Sequence, residues 1–429
     1  MALPTQFTPF KPTDHRDFPA TPSKWEKRIA AWDKAIAKWN VSAPAKGYAP
    51  ANAGKLSGYS LHDNPPYVPI NSGSEIEWPQ FLLLRVLYTK SNAADLQAKV
   101  EAGTHDLFAK ASYDSARESL KENAEWNAYI SDIEGANPGQ EGSFPDLGLF
   151  TIPRYHQLAT SEIKLRPTDQ PPSTYVLRPR TNMPNYADHA AAVDALTSGV
   201  ASSGLVHRER SHSSLSGKSA TTQLSEHSAA GKDAVEIYPK AEDEQIVNTA
   251  LIDYLISITI TCKDVKGGWT LHRAAFIANN MQKSPYPKTY ESRVDGYFQT
   301  WSGRKAAIIE VKPFIRSWDE PKIRMQEASQ MAAWISQEPP ESYQKGGKAR
   351  RLLIAQDRHE VFLTIATFDK AYVEYIRNEP NRNRSARTFL CLKQCGPFTI
   401  TKCQDMKVLS YLVLGFCRAV CAPGGLVGR

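Results

Sequence analysis

The first 261 residues contain no cysteine, and the six that follow, at 262, 391, 395, 403, 417 and 421, form no CxxC unit. Eight of the ten histidines lie before residue 233, so the C-terminal half is poor in partners for a zinc-binding thiol. The thiols are therefore expected to be reduced and mostly buried, as small hydrophobes. A Walker-type glycine loop, a GxSxG elbow and a solenoid repeat are all missing, which removes support for P-loop, kinase and serine-hydrolase chemistry. Long apolar runs are missing too. The longest, 408–422, is interrupted by Arg418 and falls short of the roughly 20 residues that span a bilayer, so it reads as a core helix. Residues 1–17 are polar and proline-punctuated, with no apolar leader. An intracellular location, nucleus or cytoplasm, with no membrane partner is the expectation.

The chain of 429 residues is long enough for two or three domains of about 150 residues each. At 41% hydrophobic and 10% aromatic it can fill a sizeable core, while its 29 prolines point to long irregular stretches. Its net charge of +7 is unevenly spread: residues 1–233 hold 24 Lys+Arg against 25 Asp+Glu, and 234–429 hold 28 against 20. The basic excess of the C-terminal half suits a phosphate-rich or acidic partner, and equally an ordinary solubilising surface.

Ser23 and Glu26 have capping-box spacing, ahead of Trp25, Ile29, Trp32, Ile36 and Trp39 at helical intervals. A second helix is expected over 105–133, and only short strand-like pieces over 144–184. Small and polar side chains dominate 198–233, which reads as a flexible linker. The expected organisation is a mostly helical or irregular region over 1–197 with no role visible in its residues, the linker, and an α/β domain over 234–429.

Past the linker, residues 241–259 read as a helix with acids in its first turn and Val247, Leu251, Leu255 and Ile258 at core spacing. Glu244 lies on that stripe. The acids could simply complement the helix dipole, and Glu242 competes with Glu244 for any chemical role. Two β-rich runs, 293–298 and 306–312, flank Ser302 and Gly303, the signature of an antiparallel hairpin. A turn symmetric about that pair sets residues whose numbers sum to 605 opposite one another, which places Asp295 against Glu310. Alternation along the strand then puts Glu310 and Lys312 on one face and Ile309 and Val311 on the other. Opposed carboxylates destabilise a sheet unless a cation lies between them. Oxygen ligands with retained waters suit Mg²⁺, with Mn²⁺ as the alternative. An ammonium beside such a site can orient an attacking water and stabilise developing negative charge.

The order of helix acid Glu244, hairpin acid Asp295 and Glu310-Val311-Lys312 resembles the PD-(D/E)XK nuclease superfamily. Gln326-Glu327-Ala328, Met331 to Trp334, Leu353 to Arg358 and Gly396-Pro397-Phe398 are similar to the fungal nuclease-like domains within it. The likeness covers about residues 234–429. It implies a restriction-endonuclease-like αβββαβ core, Asp295 and Glu310 as metal ligands, Lys312 as the residue that positions water, Glu244 as the auxiliary acid, and DNA ahead of RNA as substrate. Val294 stands where the family's name has proline. Gln326 and Gln330, one helical turn apart, could reach a phosphate or a bound water, or could be solvent-facing amides. Lys345, Lys348, Arg350 and Arg351, then Arg382, Arg384 and Arg387, form basic clusters that could bind backbone phosphates or could equally be solvated loops. The alternative to an enzyme is a nuclease-fold module that binds nucleic acid or protein with little or no turnover.

Overall fold

A computed structural model describes residues 17–42, 55–63, 68–135, 144–161, 243–340, 347–380 and 387–423. The first helix, α1 (Pro22–Ser42), starts two residues earlier than the Ser23 signal suggests. Thr21 accepts from the Lys24 N–H through its hydroxyl and Pro22 takes the first helical position, where its missing N–H costs nothing. Trp25, Ile29 and Trp32 are buried within the same chain. The single helix expected over 105–133 is two, α4 (Lys110–Lys121) and α5 (Ala124–Gly135). Asn123 divides them, because its side chain accepts from the Trp126 N–H and opens a new helix. Where strand pieces were expected after 144, a helix forms, α6 (Thr151–Ser161). Two short helices, α2 (Trp78–Leu83) and α3 (Ala93–Glu101), flank strand β1 (Val86–Ser91).

The C-terminal half begins with α7 (Glu244–Ser257), capped by Asp243, whose side chain accepts from the Gln245 N–H at 2.8 Å. Then come β2 (Gly267–Thr270), a ribbon of β3 (Ala275–Asn279) with β4 (Lys288–Arg293), β5 (Gly296–Thr300) and β6 (Lys305–Lys312). Helix α8 (Glu320–Gln337) leads to β7 (Ala349–Asp357) and β8 (Glu360–Phe368), α9 (Lys370–Ile376), β9 (Leu390–Thr399) and α10 (Cys403–Cys421). The mixed sheet has the order β1-β9-β8-β7-β6-β5-β2, with β6 parallel to β7, β1 parallel to β9, and the other neighbours antiparallel.

Helices cover both faces, so the fold is α/β. On one side Ile309, Val311, Leu352 and Ile354 pack with α7, α10 and the α4–α5 pair. On the other, Ile308, Leu353 and Ala355 pack with α8, α1, α2 and α9. Strand β6 is buried along nearly its whole length and reads as a continuous apolar run for that reason. Into this run Glu310 is the one acid inserted.

Strand β1 belongs to the region expected to stand apart over 1–197, yet it completes the sheet beside β9, roughly 300 residues away in sequence. All described residues lie in one compact unit drawn from both halves of the chain. The linker expected over 198–233 lies outside the described residues. Among the described residues no helix is long and apolar enough to cross a membrane.

Candidate active site

The hairpin register follows the 605 sum from Gly296 with Ile309 to Phe298 with Ala307, then slips by one at a bulge before the turn. Gly303 takes φ +84° in that turn, a conformation open to glycine. Asp295 sits one residue before β5 and extends the pairing: its N–H donates to the Ile309 carbonyl at 2.9 Å, and its Oδ2 accepts from the Val311 N–H at 3.1 Å. The next residue must be glycine. A Cβ at 296 would lie 2.6 Å from the Thr270 carbonyl oxygen and 2.8 Å from Ile252 Cδ1. Gly296 therefore lets β2 and α7 close on the hairpin beside the Asp295 carboxyl.

Glu310 and Lys312 share the sheet face that meets α8, while Ile309 and Val311 enter the opposite core. Three donors converge on the Glu310 carboxyl. Lys312 Nζ and Gln326 Nε2 (2.6 Å) reach Oε1, and Gln330 Nε2 reaches Oε2 at 2.5 Å. Gln330 also donates to the Arg293 carbonyl at 2.7 Å. It is fully buried, so the solvent-facing alternative for this pair fails: their side of α8 is the inner one. From α7, the Asn248 amide donates to the Asp295 carbonyl at 3.3 Å. Arg273, on the link between β2 and β3, lies with Nε 3.4 Å from Asp295 Oδ1 and a terminal nitrogen 3.8 Å from Glu244 Oε1.

The charges perturb one another strongly. Burial first, and then the neighbouring Asp295, pushes the Glu310 carboxyl up to about 8 against the pull of Lys312. Burial alone would lower the Lys312 ammonium, but Glu310, Glu244 and Asp295 together raise it, so it stays charged. Both partners report one fact: three acids and one ammonium occupy the same end of the sheet, in a poorly solvated space.

Among the described residues no group of three or more His, Cys, Asp or Glu side chains is arranged to hold a metal ion. Asp295 and Glu310 offer two carboxylates, and beside Glu310 the Gln330 Oε1 is buried without a hydrogen-bond partner. These are hard oxygen donors. One or two carboxylates suffice for Mg²⁺ or Mn²⁺ when waters and substrate phosphates supply the remainder, so the donor set fits such an ion.

Behind the acids lies a second charged cluster whose residues carried no assigned role in the sequence. Arg316 bridges Glu327 on α8 and Asp357 at the end of β7, and its guanidinium lies 4.1 Å from the Phe362 ring centroid. Tyr88 of β1 donates to Glu327 Oε2 at 3.0 Å. Asp357 is the register partner of Lys312 across the parallel β6 and β7 pair, and the Arg358 N–H donates to the Lys312 carbonyl at 2.9 Å. The cluster thus fixes the strand end that carries Lys312 and the helix that carries both glutamines.

The basic residues expected near the acids lie elsewhere. Arg350 and Arg351 open β7, whereas Lys312 is beside Asp357 at its far end, about 20 Å away at roughly 3.3 Å per residue. Arg351 is buried, with its guanidinium 3.8 Å from the Trp334 ring centroid and a bond to the Glu338 carbonyl. Arg350 pairs with Asp106 on the opposite face. Neither is a phosphate contact of this site. Lys348 is exposed just before β7, at the Arg350 end and away from the acids, and Arg387 pairs with Glu26. Lys345, Arg382, Arg384 and Glu242 lie outside the described residues.

In comparisons with known proteins, no family model matches the chain and no curated protein matches it significantly.

Proposed function

We propose that this chain is a divalent-cation-dependent nuclease of the PD-(D/E)XK kind. The observation that carries the reading is the convergence of Asp295, Glu310 and Lys312 at one sheet end, with Glu310 held far above the usual carboxylate range by burial and Asp295. The element order supports it. Helix α7 is followed by the antiparallel set β2, β5 and β6, with the β3 and β4 ribbon inserted, then by α8 and by β7 parallel to β6. This order supports the αβββαβ core that the sequence resemblance implies.

In this reading Asp295 and Glu310 hold Mg²⁺, which supplies charge neutralisation at the scissile phosphate and a lowered pKa for water when bound. Lys312 donates to the attacking water and steadies the negative charge that develops on the phosphate oxygens. Gln326 and Gln330 fix the Glu310 rotamer, and Asn248 holds the backbone at Asp295. Glu244 adds negative charge from the α7 side and keeps the ammonium protonated. DNA is the substrate the resemblance favours, with RNA second.

A second reading draws on a specific observation: each oxygen of the Asp295 and Glu310 carboxyls already has a nitrogen partner within the chain. A binding module without turnover would keep these contacts permanently. The test uses the full chain, because β1 and Tyr88 from its N-terminal half are part of the same unit. DNA and RNA are incubated with Mg²⁺, Mn²⁺ or EDTA, beside Asp295→Ala and Lys312→Ala. Cation-dependent cleavage lost in both variants is the expected result. Salt-sensitive binding with no cleavage in any cation would replace the enzyme with the module.

A further inference from the structure

Of the charged side chains around Asp295 and Glu310, Arg273 is the most loosely held. Its contacts of 3.4 and 3.8 Å exceed the roughly 2.7–2.9 Å of a tight charge-assisted hydrogen bond. Its side chain is 38% exposed, against 13% for Lys312. The backbone around it is anchored on both sides. His272 Nδ1 lies 3.1 Å from the Tyr297 hydroxyl, the His272 N–H donates to Thr270 Oγ1 at 3.1 Å, and the Ala274 carbonyl accepts from the Val294 N–H at 3.0 Å. Movement of the guanidinium therefore requires rotation of its side chain alone.

We propose that Arg273 is a displaceable latch on the cation site: its guanidinium spans Asp295 and Glu244 while no divalent cation is held, and gives way when one binds. The inference rests on the cation-dependent reading above. Holding a cation requires both ligand carboxyls ionised; with Glu244 ionised as well, Lys312 and Arg273 leave one negative charge uncompensated at the site. A dication turns that balance from one negative to one positive charge, and the guanidinium beside Asp295 then faces a like charge. At 38% exposure against 13% for Lys312, Arg273 has the wider route to solvent, so it is the one that leaves. Once released, its planar fork of donors suits a phosphate at the mouth of the site, the geometry in which arginine outperforms lysine. The latch thus competes with the ion for Asp295 and, in the presence of substrate, stays available to a phosphodiester.

The test is calorimetric titration of the full chain with Mn²⁺, without nucleic acid, for the wild type, Arg273→Ala, Arg273→Lys and Asp295→Ala. Removing a competing cation should tighten Mn²⁺ binding in Arg273→Ala by about two- to fivefold, the range of a half-exposed ion pair. Arg273→Lys should remain near the wild type, and Asp295→Ala should lose binding. A residue that merely supported the fold would give the opposite sign, because its loss weakens a site. Mn²⁺ binding that is lost in Asp295→Ala but unchanged or weaker in Arg273→Ala would overturn the latch and leave the cation site standing. No Mn²⁺ binding by any of the four proteins would overturn the latch together with the reading beneath it.

Discussion

Two clusters with the same inventory of charge lie side by side at one end of the sheet, and they differ in access. Asp295, Glu310 and Lys312 make one; Asp357, Glu327 and Arg316 make the other. In the second, both acids are 0% exposed and the arginine 3%, with Phe362 over its face and the Tyr88 hydroxyl on Glu327. Each acid there has its own side of one guanidinium. The first cluster gives Asp295 a backbone N–H and a loose arginine, gives Glu310 an ammonium and two amides, and is rimmed by partly exposed cations. A sealed set of two acids and a cation locks elements together, whereas an open set leaves one carboxyl protonated near neutral pH and able to exchange partners.

The largest effect should come from separating the halves of the chain. Residues 234–429 expressed alone lack β1, which covers the β9 edge, and lack Tyr88 and the α4 and α5 helices that pack on α10. This piece is expected to be insoluble or to give no cooperative unfolding transition. A fragment that unfolds cooperatively would show that the sealed cluster works without its N-terminal partner. Next comes Arg316→Ala. It strands two buried carboxylates and should lower the unfolding free energy by about 3–5 kcal/mol in urea titration. Tyr88→Phe removes one donor from Glu327 and should cost about 1–2 kcal/mol.

Smaller still is a pH effect at Glu360, beside the sealed cluster. Burial and the nearby Asp357 push its carboxyl up to about 7. A carboxyl raised on folding contributes stability that is complete below its unfolded value near 4.5 and is lost as pH rises through 7. The wild type should therefore lose stability over that window by on the order of 2 kcal/mol relative to Glu360→Gln. Parallel stability curves for the two proteins between pH 4.5 and 7.5 would refute this.

The open cluster was legible because it is local. Asp295 and Glu310 are 15 residues apart in one hairpin, and a two-residue side-chain period with a Ser-Gly turn fixes which residues oppose each other. The glutamines needed one more step, the facing of α8, which its mixed composition leaves open. The sealed cluster was not legible, since Tyr88, Arg316, Glu327 and Asp357 come from four elements spread over 270 residues. Arg350 and Arg351 show the opposite error. Adjacent basic residues look like one patch in sequence, but on a strand they point to opposite faces, one onto Asp106 and the other onto Trp334. The N-terminal half hid its part in the sheet because a six-residue edge strand paired with a segment 300 residues later leaves no local signal.

The contrast between the two clusters is tested most directly by making the same change in each and measuring both unfolding and Mg²⁺-dependent DNA cleavage at pH 8. Glu310→Gln removes a carboxyl that burial and Asp295 both disfavour but also an acceptor of Lys312, so the two effects oppose and it should change the unfolding free energy by less than about 1 kcal/mol while abolishing cleavage. Glu327→Gln breaks a satisfied buried ion pair, so it should lower stability by about 3 kcal/mol or more while the surviving folded protein still cleaves. If both variants lose stability alike and both still cleave, the open cluster is only a second structural lock.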